Sequence, residues 1–543
     1  MFKTLEKYPI LVICLLVAIL LLPNLNTLQV TIMEARNFIT AREMILDSNW
    51  LLTTMNDEAR YQKPPLPTWL SAVSGMVFGM KSLFAMRLPA VLMVMIVGSF
   101  IFYLSQIILK NKLHSLINAL IVITSFYVIG IIIEAPWDIF THGFMLIAVY
   151  YLFKLFESNT KQWKHTFVVG FCIGLSIMCK GPVSIYALLL PFLIAYGITY
   201  KYKNIRSKIL QIISILTIAL LIGGWWYLYV RFQDPETFNA IASKETGNWT
   251  SYNVRPFYYY WSFFTQSGLW TIPAFISLLY PYLKKRVSNS KAYRFSFLWT
   301  ILVVILLSII PEKKSRYLMP VLIPLSINIG FYIEYLFRKF KTMKDKRETF
   351  PVYFNFGLIA LIAIAFPIII YVLFKNQLSD HWLLYSLTSI ITVVIGILIF
   401  LQLKQKNIKH VFLLTIIFYA TLLLLGIPLS KAFISDNYKS ISSLKTELFD
   451  QNLNIYGINT TPETIWQFGD KIPILDLNNE SYSIPTEKQF ALLINGDETE
   501  SIKKLSKNYN IKHIREYDLN QTSKKSKQYK KRLFSNYYLV TKK

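Results

Sequence analysis

Stretches of about twenty apolar residues recur along most of the chain, separated by short loops rich in lysine and arginine. A helix of that length matches the hydrocarbon thickness of a bilayer, where every backbone polar group must be satisfied internally. The chain is therefore expected to be a polytopic α-helical membrane protein. About thirteen spans are expected, near 9–27, 84–109, 115–133, 138–156, 166–179, 183–200, 209–230, 261–283, 295–310, 317–337, 353–374, 382–402 and 410–430. Only 16% of the 543 residues are charged, fewer than a soluble chain carries.

The net charge of +27 would suit nucleic acid, but its distribution points elsewhere. Cations gather in alternate loops, at Lys110 and Lys112, Lys161 and Lys164, Lys201 to Lys208, Lys284 to Arg294, Arg338 to Arg347, and Lys404 to Lys409. This is the positive-inside pattern, which puts the N-terminus in the cytoplasm and favours anionic lipid head groups as neighbours. The run from Pro9 to Leu22 follows Lys3 and Lys7 without a small-residue cleavage site, so it reads as a first anchor. An odd span number then leaves the C-terminus outside, and no nucleic acid partner is expected. Cys14, Cys172 and Cys179 all lie in apolar runs and have no metal spacing, so they read as packing residues.

Outward segments, above all 28–83, 231–260 and 311–317, mix charges, aromatics and prolines, which places function on the outer face. Residues 1–434 are expected to form the membrane domain. From about Ser435 the composition turns polar, with short apolar runs at Leu453–Tyr456, Phe490–Ile494 and Tyr537–Val540 and a helix-like stretch near 497–508. Residues 435–543 are expected to form a small extracytoplasmic α/β domain.

Two stretches of the first outer loop, 31–44 and 60–69, hold Glu34, Arg36, Arg42, Glu43, Arg60 and Lys63 next to the membrane. Charge kept this close to lipid is costly and is usually there for a task. A carboxylate among several cations suits chemistry on a phosphate-linked substrate at the membrane face.

The pattern Glu34-Ala-Arg36, Ala41-Arg-Glu-Met44, Arg60-Tyr-Gln-Lys-Pro-Pro-Leu66, Trp69 and Arg87-Leu-Pro89 resembles the first outer loop of the bacterial aminoarabinose (lipid A) glycosyltransferases. Those enzymes are relatives of the protein O-mannosyltransferases in the GT-C superfamily. The likeness continues at Asp138, Lys180-Gly181, Glu245, Pro256-Phe257 and Arg316-Tyr-Leu-Met-Pro320, and covers roughly 10–335. It implies a GT-C fold in the bacterial inner membrane. It also implies an inverting transfer of a sugar, such as an amino sugar, from a polyprenyl-phosphate donor to a lipid A-like or other envelope acceptor. A monomer is expected.

The resemblance also implies roles. Glu34 and Asp138 become the catalytic carboxylates, and Arg36, Arg60, Lys63, Arg316 and Tyr317 the groups on the donor phosphate. Lys180, Glu245 and Lys313 become further substrate contacts. Cations aimed at a leaving phosphate lower the barrier, and Pro64 and Pro65 stiffen the backbone behind Lys63. The chain departs from the family at Met33, where relatives carry an aspartate beside the glutamate. A hydroxyl acceptor needs a general base, whereas a phosphate acceptor is already an anion. Losing that aspartate leaves two options: Glu34 is the base, or the acceptor is acidic. The zinc-holding positions of relatives are Gln62 and Thr246 here, so no metal or other cofactor is expected.

Other readings remain open at this level. Glu34 can simply pair with Arg36 or Arg60. Lys63 can snorkel to head groups, and Asp138 can cap a helix. His142, four residues past Asp138, reads as a packed polar group rather than a ligand. As whole-chain alternatives, the protein transfers sugar to Ser or Thr of proteins, or carries a lipid-linked sugar across the membrane. Transporters commonly place polar residues near the bilayer midplane; here they gather on one side.

Overall fold

The computed structural model describes residues 2–134, 136–475, 485, 487–496 and 499–543. Among them eight helices are long and apolar enough to cross a membrane, and nine if the bent pair Lys112–Ile123 and Phe126–Glu134 is one span. Shorter apolar helices at Pro9–Asn24 and Ile185–Thr199 add to the bundle. The expected single span over 261–283 is instead broken into a 3₁₀ segment Phe263–Trp270 and helices Thr271–Ser277 and Tyr280–Leu283. Gly268 at φ 64° makes the break. Pro273 and Pro281 remove backbone donors beyond it.

Helix contacts inside the bundle use small residues. A Cβ at Gly170 would meet Ile218 Cβ at 2.8 Å, and one at Gly174 would meet Ile222 Cβ at 2.6 Å. The glycines thus let Trp163–Lys180 lie close against Ile209–Gln233. That packing fixes where the Trp163–Lys180 helix ends, and Lys180 is its last residue.

The loop after the first helix is ordered by one buried ion pair. Thr31 and Glu34 form a capping box that starts the Ile32–Leu46 helix. Both Glu34 oxygens also accept from Arg87, from Nε at 2.6 Å and Nη2 at 2.9 Å. Arg87 Nη1 donates to the carbonyls of Leu25 and Leu28. Glu34 and Arg87 are 0% and 1% exposed. Arg87 stands near the start of the Leu83–Leu109 helix, so the pair joins a span to the outer loop.

A hairpin follows, β1 (Thr54–Met55) and β2 (Glu58–Ala59), turning at Asn56 and Asp57 with φ of 59° and 65°. Asn and Asp tolerate this left-handed pair at a tight hairpin turn. The next helix, Leu66–Phe78, leaves Val73, Met76, Val77 and Phe78 exposed, an apolar face suited to the lipid interface.

The C-terminal region holds β3 (Ile455–Ile458), β4 (Gln489–Asn495), β5 (Tyr509–Asp518) and β6 (Phe534–Lys542) in the order β3-β4-β6-β5. β3 and β4 run parallel; β6 is antiparallel to both its neighbours. Helices Leu444–Asp450, Pro462–Phe468 and Thr499–Leu505 accompany the sheet. The start of the helix-like stretch 497–508, at 497 and 498, lies outside the described residues. β5 does not announce itself in the sequence: it is an edge strand whose middle is exposed and polar.

Replacing Glu34 by Ala leaves the Arg87 guanidinium buried and unpaired. We expect a loss of about 3–5 kcal/mol, read as a lower melting temperature in detergent. The double replacement Glu34→Leu with Arg87→Leu recovers most of it, because no orphaned charge remains. A melt of Glu34→Ala matching the parent would contradict this role.

Candidate active site

The hairpin returns the chain so that Arg60 lies along the Ile32–Leu46 helix. Arg60 N donates to the Thr53 carbonyl at 2.8 Å, and Thr53 Oγ1 donates to the Arg60 carbonyl at 2.6 Å. The Arg60 side chain donates to Thr40 Oγ1 at 2.7 Å and to the carbonyl of Arg36. Its guanidinium then stands 5.4 Å from the centre of the Trp137 ring. The Lys63 ammonium approaches the same ring at 5.1 Å. Thr40, Thr53, Arg60, Lys63, Pro65, Thr68 and Trp137 line one narrow cleft. Pro64 and Pro65 are both buried behind Lys63.

Trp137 is buried and begins the Pro136–Glu157 helix, followed at once by Asp138. Asp138 is 2% exposed and pairs with Lys180 through Oδ1, with His142 Nε2 4.0 Å away. Lys180 ends its helix where Gly181, at φ 68°, turns the chain away. The Lys180 ammonium lies 4.8 Å from the Tyr317 ring. The Tyr317 hydroxyl donates to Glu312 Oε1 at 3.2 Å and receives Lys314 Nζ at 3.3 Å. Arg316 sits 5.9 Å from the same ring.

The structure thus gathers Arg60, Asp138, Lys180 and Arg316 around Lys63, with Trp137 under Arg60 and Lys63 and Tyr317 under Lys180 and Arg316. The charges of Lys180, Asp138, Arg316 and Arg60 all act on Lys63. Arg36 is exposed at the edge of this group, where its charge acts on Arg60. Three other expected site residues lie apart. Glu34 is spent on Arg87, not on Arg36 or Arg60. Lys313 is buried, with Nζ donating to the carbonyls of Ile310 at 2.6 Å and Arg255 at 3.1 Å, which ties two loops together. Glu245 is exposed on the Pro235–Ser251 helix.

Gln62 and Thr246 are also exposed. Glu43, Asp47 and Asp57 approach one another closely enough for a shared cation. The Lys471 ammonium already bridges Asp47 at 3.0 Å and Asp57 at 2.5 Å, and Glu43 accepts from Thr54 and from the Asn56 N–H. That trio is a protein-internal ion network. Trp137 is the residue that reading the sequence passed over. Its position directly before Asp138, at a helix start facing the loop cations, was the available signal.

Electrostatically the cleft favours anions. Burial first, then the charges of Lys180, Arg316 and Arg60, bring the Lys63 ammonium down to about 7 against the opposing pull of Asp138. Arg60 is lowered to about 9, mainly by burial and then by Arg36. A bound phosphate would relieve this crowding of like charge.

Residues 62–227 match the family model described as dolichyl-phosphate-mannose-protein mannosyltransferase. The chain is 25% identical over 344 residues to undecaprenyl phosphate-alpha-4-amino-4-deoxy-L-arabinose arabinosyl transferase 1 of Proteus mirabilis, covering 62% of this chain and 61% of that one. It is 23% identical over 349 residues to transferase 2 of the same organism, covering 61% and 60%. The matches therefore span less than two thirds of these curated relatives. Among solved structures, ArnT from Cupriavidus metallidurans in the apo state superposes with TM-score 0.67 at 14% identity, over 98% of this chain and 97% of that one. The same protein bound to undecaprenyl phosphate gives 0.65 over the same shares. The fold is that of these ArnT structures, and by sequence the chain is similar to the aminoarabinose transferases.

A phosphate-bearing lipid held by Lys63 needs the protonated amine, which prevails below about pH 7. Affinity is expected to be highest there and to fall roughly tenfold per unit as pH rises above 7. Equilibrium binding of polyprenyl phosphate between pH 6 and 9 checks it; a flat profile would contradict it.

Proposed function

We propose that the chain is an integral-membrane glycosyltransferase that moves a sugar from a polyprenyl-phosphate carrier to an acidic envelope acceptor of the lipid A kind. The supporting observation is the cation group of Arg60, Lys180 and Arg316 gathered on Lys63, with Trp137 and Tyr317 as its aromatic supports, on a GT-C scaffold. The relatives' names supply the carrier and the sugar class.

In this reading the bond between the anomeric carbon and the phosphate oxygen breaks, and the carrier phosphate leaves with the electron pair. Lys63, Arg60 and Arg316 neutralise the charge that develops on it, in a site whose burial strengthens each contact. Tyr317 and Arg36 border the same phosphate. An acceptor oxygen attacks the anomeric carbon from the opposite face, which inverts the sugar. Asp138, held by Lys180, orients the sugar and its incoming acceptor.

An acidic acceptor fits the carboxylates that remain. Met33 stands where relatives have an aspartate, and Glu34 is committed to Arg87. A phosphate oxygen attacks as an anion, so no base is required. Glu34 then acts as the anchor of the loop rather than as the base. Transfer to protein Ser or Thr would require Asp138 to take a proton while paired with Lys180. We further propose thirteen crossings, with the short apolar helices and the broken 261–283 element included. That count puts the cleft and the C-terminal domain on the periplasmic face, and the basic loops in the cytoplasm.

Lys63→Ala should lower transfer by about 10²-fold or more without changing the melting temperature, and Asp138→Asn should lower transfer as much while also lowering the melt, because it leaves the Lys180 ammonium unpaired. Purified protein, a polyprenyl-phosphate sugar and lipid A provide the assay. Parental rates in both variants would sink the proposal, and product on Ser or Thr of a protein would favour the other acceptor.

A further inference from the structure

The C-terminal region does not merely sit beside the bundle; it grips the hairpin that delivers the cleft's cations. The Asn56 side chain donates to the Ile472 carbonyl at 2.7 Å, and its Oδ1 accepts from the Ile472 N–H at 2.8 Å. Lys471 binds Asp57 beside it, and Asp47 at the end of the Ile32–Leu46 helix. Trp466 covers Phe38, with ring centres 5.2 Å apart, and the Arg42 guanidinium at 6.0 Å. Ile39, from the same helix, is packed into the apolar core of the C-terminal sheet. Gln29 donates to the Leu519 carbonyl at 2.5 Å.

These contacts lead directly to the cleft. The Asn56 N–H is held by Glu43 at 2.6 Å, and Thr54 Oγ1 binds the same carboxylate. Thr53 stands three residues before Asn56 and Arg60 four after it; they hydrogen-bond each other and both line the cleft with Thr40. Among the described residues, none of the C-terminal region lines the cleft. Its influence passes through the Ile32–Leu46 helix and, most directly for Arg60, through the hairpin.

We infer that the C-terminal domain is a positioning element for the donor-phosphate site, and that Asn56 is the residue through which it acts. The inference rests on the functional reading above. With Asn56 clamped, Arg60 and Lys63 hold a fixed distance across Trp137. With the clamp released, the hairpin is free to move and the cations lose their shared aim.

The test is Asn56→Gly, which keeps the left-handed backbone and removes only the side-chain amide. Lys471→Gln is the milder companion from the other side of the seam, in case the first variant fails to fold. Polyprenyl phosphate binding, the melting temperature and hydrogen exchange of residues 53–60 are measured on the full chain. The expected result is about tenfold weaker binding and faster exchange at 53–60, with an unchanged melt. A smaller change in the same direction is expected for Lys471→Gln. In transfer assays the donor KM rises while kcat stays within about twofold. Parental exchange at 53–60 in both variants would overturn the clamp whether or not the carrier binds. Faster exchange with parental carrier affinity would overturn its positioning role. If the parent chain itself does not bind polyprenyl phosphate, the functional reading fails, and exchange alone then decides the clamp.

Discussion

Arg87 carries a guanidinium into an apolar helix, where an unpaired charge would cost several kcal/mol. Glu34 meets it with two parallel hydrogen bonds, and the carbonyls of Leu25 and Leu28 take up the remaining donors. This arrangement sets the start and the direction of the Ile32–Leu46 helix. One wall of the cleft is built on that helix: Thr40 and the Arg36 carbonyl receive Arg60, and Glu43 receives the hairpin. Bidentate pairing gives orientation as well as energy.

The second constraint is the crowding of like charge. Arg60, Lys63, Lys180 and Arg316 share a partly buried space in which Asp138 is the acid acting on Lys63, and Lys180 already claims it. Such a group carries electrostatic strain in the absence of an anion. In the proposed reading a phosphate relieves this strain, and more so as it gains charge on leaving. Preorganisation is provided by stiff supports: two prolines behind Lys63, a glycine turn after Lys180, and the C-terminal clamp on the hairpin.

Much of this was legible in the chain itself. The apolar runs, the one-sided distribution of polar loops and the pairing of Lys63 with Pro64-Pro65 are local signals, and local signals survive in sequence. The cations Arg60, Lys63 and Arg316, far apart in the chain, are grouped by the loop pattern, and the structure brings their charges together. What could not be read were partnerships across long separations. Glu34 finds Arg87 rather than Arg36, and Asn56 finds Ile472, more than four hundred residues on. Lys313 looked like a substrate contact because a buried lysine and a ligand-binding lysine have the same letter. Only its carbonyl partners distinguish them. The broken 261–283 element shows the same limit: its hydropathy is that of one continuous helix, and the Gly268 dihedral interrupts it.

The central claim is that the loop cations hold the phosphate of a lipid carrier beside Trp137. An experimental structure of the full chain with polyprenyl phosphate tests it most directly. The account predicts phosphate density within hydrogen-bond distance of Lys63 Nζ, with the isoprenoid tail leading to lipid. Phosphate found instead at the basic loops of the opposite end, with the cleft beside Trp137 unchanged, would contradict it.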